Sequence, residues 1–193
     1  MTSSWKIAIS VSCIVVIAGA SIVGWVRREK AIEWKKSSEA VSETRTRAEE
    51  GNAKAEANLG NMYFHGVPQD YAEAVRWYRK AADQGDAEGQ DGVAYMYLRG
   101  QGVPQDYAEA LRWYRKAADQ GYANAENGIA LMYSQGQGVP QDYTEALRWY
   151  RKATDQGYAK AQYNLGNMYY YGRGVPRDRA EAERWYHKGG RSG

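Results

Sequence analysis

Small and apolar residues recur at steps of three and four along Tyr71, Ala74, Val75, Tyr78, Ala81 and Ala82. Such steps gather on one face of a helix. Arg76, Arg79 and Lys80 fall largely on the other side. The pattern predicts an amphipathic helix with one buried face. Asp70, with Glu73 three residues on, reads as an acidic capping box at its start. Gly85 marks its stop, where a left-handed residue costs glycine little. The start signal returns at Asp106/Glu109, Asp142/Glu145 and Asp178/Glu181, and the stop at Gly121 and Gly157.

A shorter helix, rich in Ala and Gly, is predicted before each of these. Asn52 to Tyr63 (NAKAEANLGNMY) and Tyr158 to Tyr169 (YAKAQYNLGNMY) are two copies. Gly60, Ala94, Ala130 and Gly166 share one register, which lets two helices approach closely. Leu59, Val93, Ile129 and Leu165, one residue earlier, supply apolar contact. The connection reads GQGVPQD twice and GRGVPRD once, with a version two residues shorter (HGVPQD) in the first copy. Gly gives it positive φ, and Pro cannot continue the preceding helix. Trp77, Trp113, Trp149 and Trp185 lie 36 residues apart, so the unit is a helix-turn-helix repeated four times.

These recurring positions, from Ala-x-Ala and Leu-Gly-x-x-Tyr through Gly-x-Gly-Val to Trp-Tyr-x-Lys-Ala-Ala, resemble the Sel-1-like repeat, a longer-looped relative of the tetratricopeptide repeat. The resemblance covers 52–190 as units 52–85, 86–121, 122–157 and 158–190, with a tail at 191–193. It implies an all-α, right-handed α-solenoid of antiparallel helix pairs. It also implies a scaffold or adaptor that binds a protein or peptide in a concave groove lined by the first helices, without catalysis. Some members of that family are described as hydrolases of cell-wall drugs, but those are rich in Cys, and the repeats here contain none.

Residues 29–51 read as a linker and a capping helix. Glu39 to Gly51 (EAVSETRTRAEEG) keeps Glu39, Ala40, Val41, Arg45, Ala48 and Gly51 of the second-helix pattern but loses its aromatics. A polar outer face is what the end of a solenoid requires. At the other end the chain stops in HKGGRSG just after the fourth Trp-Tyr pair. That leaves an uncapped face which a partner or a second copy of the chain could cover.

Residues 7–26 (IAISVSCIVVIAGASIVGWV) carry no charge over 20 positions, with Trp5 and Trp25 at the two ends. The direct expectation is a single transmembrane helix within an anchor at 1–28, and so a single-pass membrane protein. Arg27, Arg28, Lys30, Lys35 and Lys36 follow it, and the positive-inside rule then puts the repeats in the cytoplasm. The rival reading is a signal peptide cleaved after Ala18-Gly19-Ala20. It would yield a secreted or periplasmic module that regulates or weakly hydrolyses an envelope substrate.

Composition narrows the chemistry. Lys and Arg number 26 against 23 Asp and Glu, so a net charge of +3 gives no reason to expect a nucleic-acid partner. One Cys excludes an intramolecular disulfide framework, and two His with one Cys make no closed zinc site. No cofactor is expected. The Asp…Glu pairs recur four times at helix starts, whereas a catalytic pair is needed once. The Gly-x-Gly loops follow a helix and lack the Gly-Lys-Ser/Thr of a phosphate loop. The skew to 17 Tyr and 7 Trp over a single Phe reads as repeated core packing.

Partner-binding residues are expected where otherwise similar first helices differ. One register holds Ala57, Asp91, Asn127 and Tyr163. Another, four residues on, holds Asn61, Tyr95, Leu131 and Asn167, and a third holds Asn58, Gly92, Gly128 and Asn164. From these, Asn58, Asn61, Asp91, Tyr95, Asn127, Leu131, Tyr163, Asn164 and Asn167 are the candidate groove residues. Asn amides can clamp an extended backbone, and Tyr adds apolar area with a polar tip.

Overall fold

The computed structural model describes residues 39–66 and 69–191. The chain divides into two units, residues 1–43 and 44–193. Of the first, the described residues 39–43 are helical; the second unit holds the repeats. Helix α1 is described over 39–49. After it come α2 (Ala53–His65), α3 (Tyr71–Asp83), α4 (Ala87–Arg99), α5 (Tyr107–Asp119), α6 (Ala123–Gln135), α7 (Tyr143–Asp155), α8 (Ala159–Tyr171) and α9 (Arg179–Arg191). The architecture is an all-α solenoid. Each even-numbered helix pairs with the second helix of its own unit, α3, α5 and α7 pack on the next unit, and α2, α4 and α6 touch in sequence.

The stop signals act as the sequence predicts. Gly85 N–H donates to the Ala82 carbonyl at 3.0 Å and Asp86 N–H to the Ala81 carbonyl at 3.0 Å. Gly85 itself stands at φ +90°. This is a Schellman motif, and it recurs at Gly121 and Gly157.

The start signals act by half. Asp70 Oδ1 accepts from Ala72 and Glu73 N–H, both at 3.0 Å, but Glu73 does not complete a capping box. The Asp70 N–H it would reach already donates to the Tyr63 carbonyl at 2.9 Å, closing the connection between the two helices of the unit. Glu73 instead accepts from Trp77 Nε1 at 3.0 Å and from Arg76 at 2.9 Å. Glu109 and Glu145 hold Trp113 and Trp149 in the same way.

Two aromatic positions of the repeat, a Trp and the Tyr that follows it, carry the packing. Trp77 and Trp113 are buried, and Trp149 packs against both core clusters. The arginines and lysines of the outer face lie over these rings: Arg112 and Lys116 sit 4.7 and 4.2 Å from the Trp113 centroid. Tyr78, Tyr114 and Tyr150 are buried as well, and burial pushes the Tyr150 hydroxyl up to about 12. Tyr78 fits between two units because glycine faces it on either side. A Cβ on Gly60 would lie 2.6 Å from its ring, and one on Gly92 2.5 Å. Arg79 reaches the next unit, donating to the Tyr97 hydroxyl at 2.8 Å. Arg115 does the same to Tyr133 at 3.1 Å, and Arg45 of α1 does the same to Tyr63. Arg45 thus meets Tyr63 as Arg79 meets Tyr97.

The expected transmembrane helix, and the single-pass membrane localisation drawn from it, are corrected. No helix among the described residues is long and apolar enough to cross a membrane. Helices α2 to α9 have 13 residues each, a rise of about 20 Å, where a span takes roughly 20 apolar residues. Residues 7–26, which carried the expectation, lie outside the described residues.

Candidate binding face

The first helices begin in two ways. Asn52 and Asp86 cap α2 and α4, accepting from Ala55 N–H at 2.9 Å and Gly89 N–H at 2.7 Å. Tyr122 and Tyr158 hold the same place before α6 and α8 and make no side-chain cap. Their rings turn to the inter-unit packing instead, and the Tyr158 hydroxyl donates to Asn124 Oδ1.

The registers that vary between copies do not all face solvent. Ala57, Asp91 and Asn127 are buried, and only Tyr163 in that register is open, at 57% exposure. This register looks across to the neighbouring first helix. Asn164 Nδ2 accordingly donates to Asn127 Oδ1 at 2.9 Å. Asn61 and Asn167 are tied inward, accepting from the Tyr78 and Tyr186 hydroxyls at 2.7 and 2.8 Å. The Gly92 and Gly128 register is set by packing. A Cβ on Gly128 would lie 2.8 Å from the Tyr114 ring.

The candidate residues gather around three cavities. Asn61, Asp91 and Tyr95 line one of about 290 Å³ with Phe64, Tyr122 and Asn124. Asn127, Leu131, Tyr163 and Asn164 line a second of about 400 Å³. Tyr95 and Leu131 both border a third, also about 400 Å³, with Leu98, Gln101 and Gln137. Asn58 and Asn167 line none of the three. Because Tyr95, Leu131 and Lys160 are each shared between two cavities, the three form one strip.

A polar network supports the strip. Glu88 accepts from Asn61 Nδ2 at 2.6 Å and is ion-paired with Lys54. This hydrogen-bonded contact holds the Lys54 ammonium above its ordinary range. Asn124 Nδ2 donates to Asp91 Oδ2 at 2.6 Å. Burial raises the Asp91 carboxyl to about 7 against that hydrogen bond. Burial likewise raises the hydroxyls of Tyr78, Tyr114, Tyr122 and Tyr158. Among the described residues no group of His, Cys, Asp and Glu could hold a metal ion.

The sequence pattern did not single out Glu88, Asn124, Lys160, Phe64 or Tyr122. The first three share a register with Lys54, and that register reads Lys, Glu, Asn, Lys along the chain. Its change of charge from copy to copy was the available signal. Phe64 is the only Phe in a chain of 17 Tyr, and it packs edge-on against Tyr95 with centroids 5.5 Å apart.

Comparison with known proteins gives the same architecture. The family model described as "Sel1 repeat" matches residues 53–86, 87–122, 123–158 and 159–193. A protective antigen of uropathogenic Escherichia coli strains, displaying an SLR fold, is 39% identical with a TM-score of 0.69. That match covers 79% of this chain and 33% of the antigen. A Sel1 repeat protein from Oxalobacter formigenes is 38% identical with a TM-score of 0.73, covering 80% of this chain and 62% of the relative. A putative sel1 repeat protein from Klebsiella pneumoniae is 23% identical with a TM-score of 0.59, over 80% and 78%; at that identity the likeness concerns the fold alone. The chain therefore spans one third to about three fifths of the first two structures. No curated protein matches it.

Proposed function

The chain belongs to the Sel1 repeat family, and we propose that it is a scaffold that holds a protein or peptide partner along its first-helix strip and does no chemistry on it. Sel1 repeats are a fold for protein interaction. The observation that carries the reading is the continuity of the strip. Each two of the three cavities on successive first helices share one residue, Tyr95, Leu131 or Lys160. Exposed Tyr95 and Tyr163 offer flat apolar area with a hydroxyl tip, a residue type that supplies much of the energy at interfaces. Asn164 adds an amide at the rim of the second cavity.

The carboxylates at the starts of the second helices are engaged structurally. The four N-cap aspartates accept backbone N–H groups, and the glutamates three residues on hold indoles or arginines. Such pairs keep helices and rings in place.

Peptides selected against the full chain from a random display library should bind the strip. Tyr95→Ala with Tyr163→Ala should then weaken binding, measured calorimetrically, by at least about tenfold. The helical signal should be unchanged, because both rings are partly or largely exposed. Full affinity in the double variant would set the strip aside.

A further inference from the structure

In the strip, the 290 Å³ cavity differs from the other two by its charge. Helix α4 gives it Glu88, Asp91 and Tyr95; α2 gives Asn61, Phe64 and His65; Tyr122 and Asn124 come from the start of α6, and Lys160 from α8. Asp91 is 7% exposed. Its Oδ2 is held by Asn124, while its Oδ1 is buried with no hydrogen-bond partner. A buried acceptor left unmatched is costly, and a carboxylate more so. The nearby cations do not meet this need. Lys54 is bound to Glu88, and Lys160 acts on Asp91 through its field without an ion pair. A charged N–H donor arriving from outside would meet that need. The walls suit one, since Phe64, Tyr95 and Tyr122 line the cavity and give a cationic stem aromatic surface to pack on.

We propose that this cavity receives one lysine or arginine side chain of the bound segment, with Asp91 and Glu88 as its acceptors and Phe64, Tyr95 and Tyr122 as its walls. The inference rests on the scaffold reading and narrows it to partners with a basic anchor residue. It also sets a pH dependence. A carboxyl held near 7 by burial must lose its proton to receive a cation, so binding strengthens as pH rises from 6 to 8. Other titratable groups face Asp91 or its cavity: His65 from α2, Tyr78 from α3, Glu88 from α4, Tyr114 from α5, Tyr122 before α6, and Tyr158 and Lys160 around the start of α8. His65 is the one imidazole among them, so a His65→Gln variant serves as the control.

The test uses the full chain, labelled with nitrogen-15, and two capped tripeptides, Gly-Arg-Gly and its isosteric citrulline form. The arginine peptide should shift the side-chain amides of Asn61 and Asn124. It should bind at least about tenfold more tightly than the citrulline peptide, more tightly at pH 8 than at pH 6, and should keep that trend in His65→Gln. Asp91→Asn should remove the preference. This variant is expected to fold, because Asn127 stands at the same register of the next unit, and Glu88→Gln gives a second reading of the same pocket. Equal binding of both peptides along the strip would overturn the cation pocket while leaving the scaffold reading standing. Arginine binding unchanged in Asp91→Asn would place the cation elsewhere and also overturn it. If neither tripeptide binds while display-selected peptides without Lys or Arg do, the pocket fails alone. If selected peptides miss the strip as well, both readings fail.

Discussion

Trp113→Ala is expected to lower the free energy of unfolding by about 3–5 kcal/mol. The indole is 3% exposed and lies in a cluster drawn from α3, α4, α5 and α6. Its Nε1 donates to Glu109 at 3.2 Å, and Arg79 of the preceding unit lies 5.0 Å from its centroid. Truncation leaves a void that two units share, so the loss falls on an interface as well as on a unit. Trp185→Ala is the comparison. That ring is half-buried and its Nε1 has no hydrogen-bond partner, so the expected loss is only about 1–2 kcal/mol. Urea unfolding followed by helical circular dichroism measures both. A loss below about 1 kcal/mol at Trp113 would contradict its place in a shared core.

Gly102→Ala should cost about 3 kcal/mol, the left-handed backbone and the steric clash together. Gly102 stands at φ +71°, and a Cβ there would lie 2.3 Å from the Tyr71 carbonyl oxygen of the preceding unit. Backbone cannot step aside as a side-chain tip can. Gly85→Ala isolates the conformational part. It stands at φ +90° with nothing within 4 Å of a Cβ, so its cost should be about 1–2 kcal/mol. The excess at Gly102 measures the contact between units, and equal costs would deny that contact.

Positive φ at the Gly-x-Gly turns was legible in the sequence, because turn chemistry is local. The role of the second glycine as the seat of the preceding unit's backbone was not, since it depends on how units stack. The aspartate caps were legible for the same local reason. The glutamates were misread as capping partners because a hydrogen bond from the Asp70 amide to Tyr63, across the connecting loop, cannot be seen in the helix alone.

The candidate face divides on similar lines. Variation between copies led to Tyr95, Leu131, Tyr163 and Asn164, and also to Asn61, Asp91 and Asn127, all of which line cavities. It could not separate variation that faces a partner from variation that faces a neighbouring helix. Asp91 and Asn127 change with what lies across from them: Asn124 holds Asp91, and Asn164 donates to Asn127. Asn61 and Asn167 serve tyrosine hydroxyls of their own units.

Site-specific photocrosslinking most directly tests whether the first-helix strip holds the partner. A benzophenone side chain would replace Leu131 or Tyr163 on the strip, and Arg115 or Arg151 on the second helices, with crosslinked segments read by mass spectrometry. The strip positions should each capture one defined segment of the same partner, and the second-helix positions should capture none. Crosslinks from Arg115 and Arg151, with Leu131 and Tyr163 silent, would contradict the assignment.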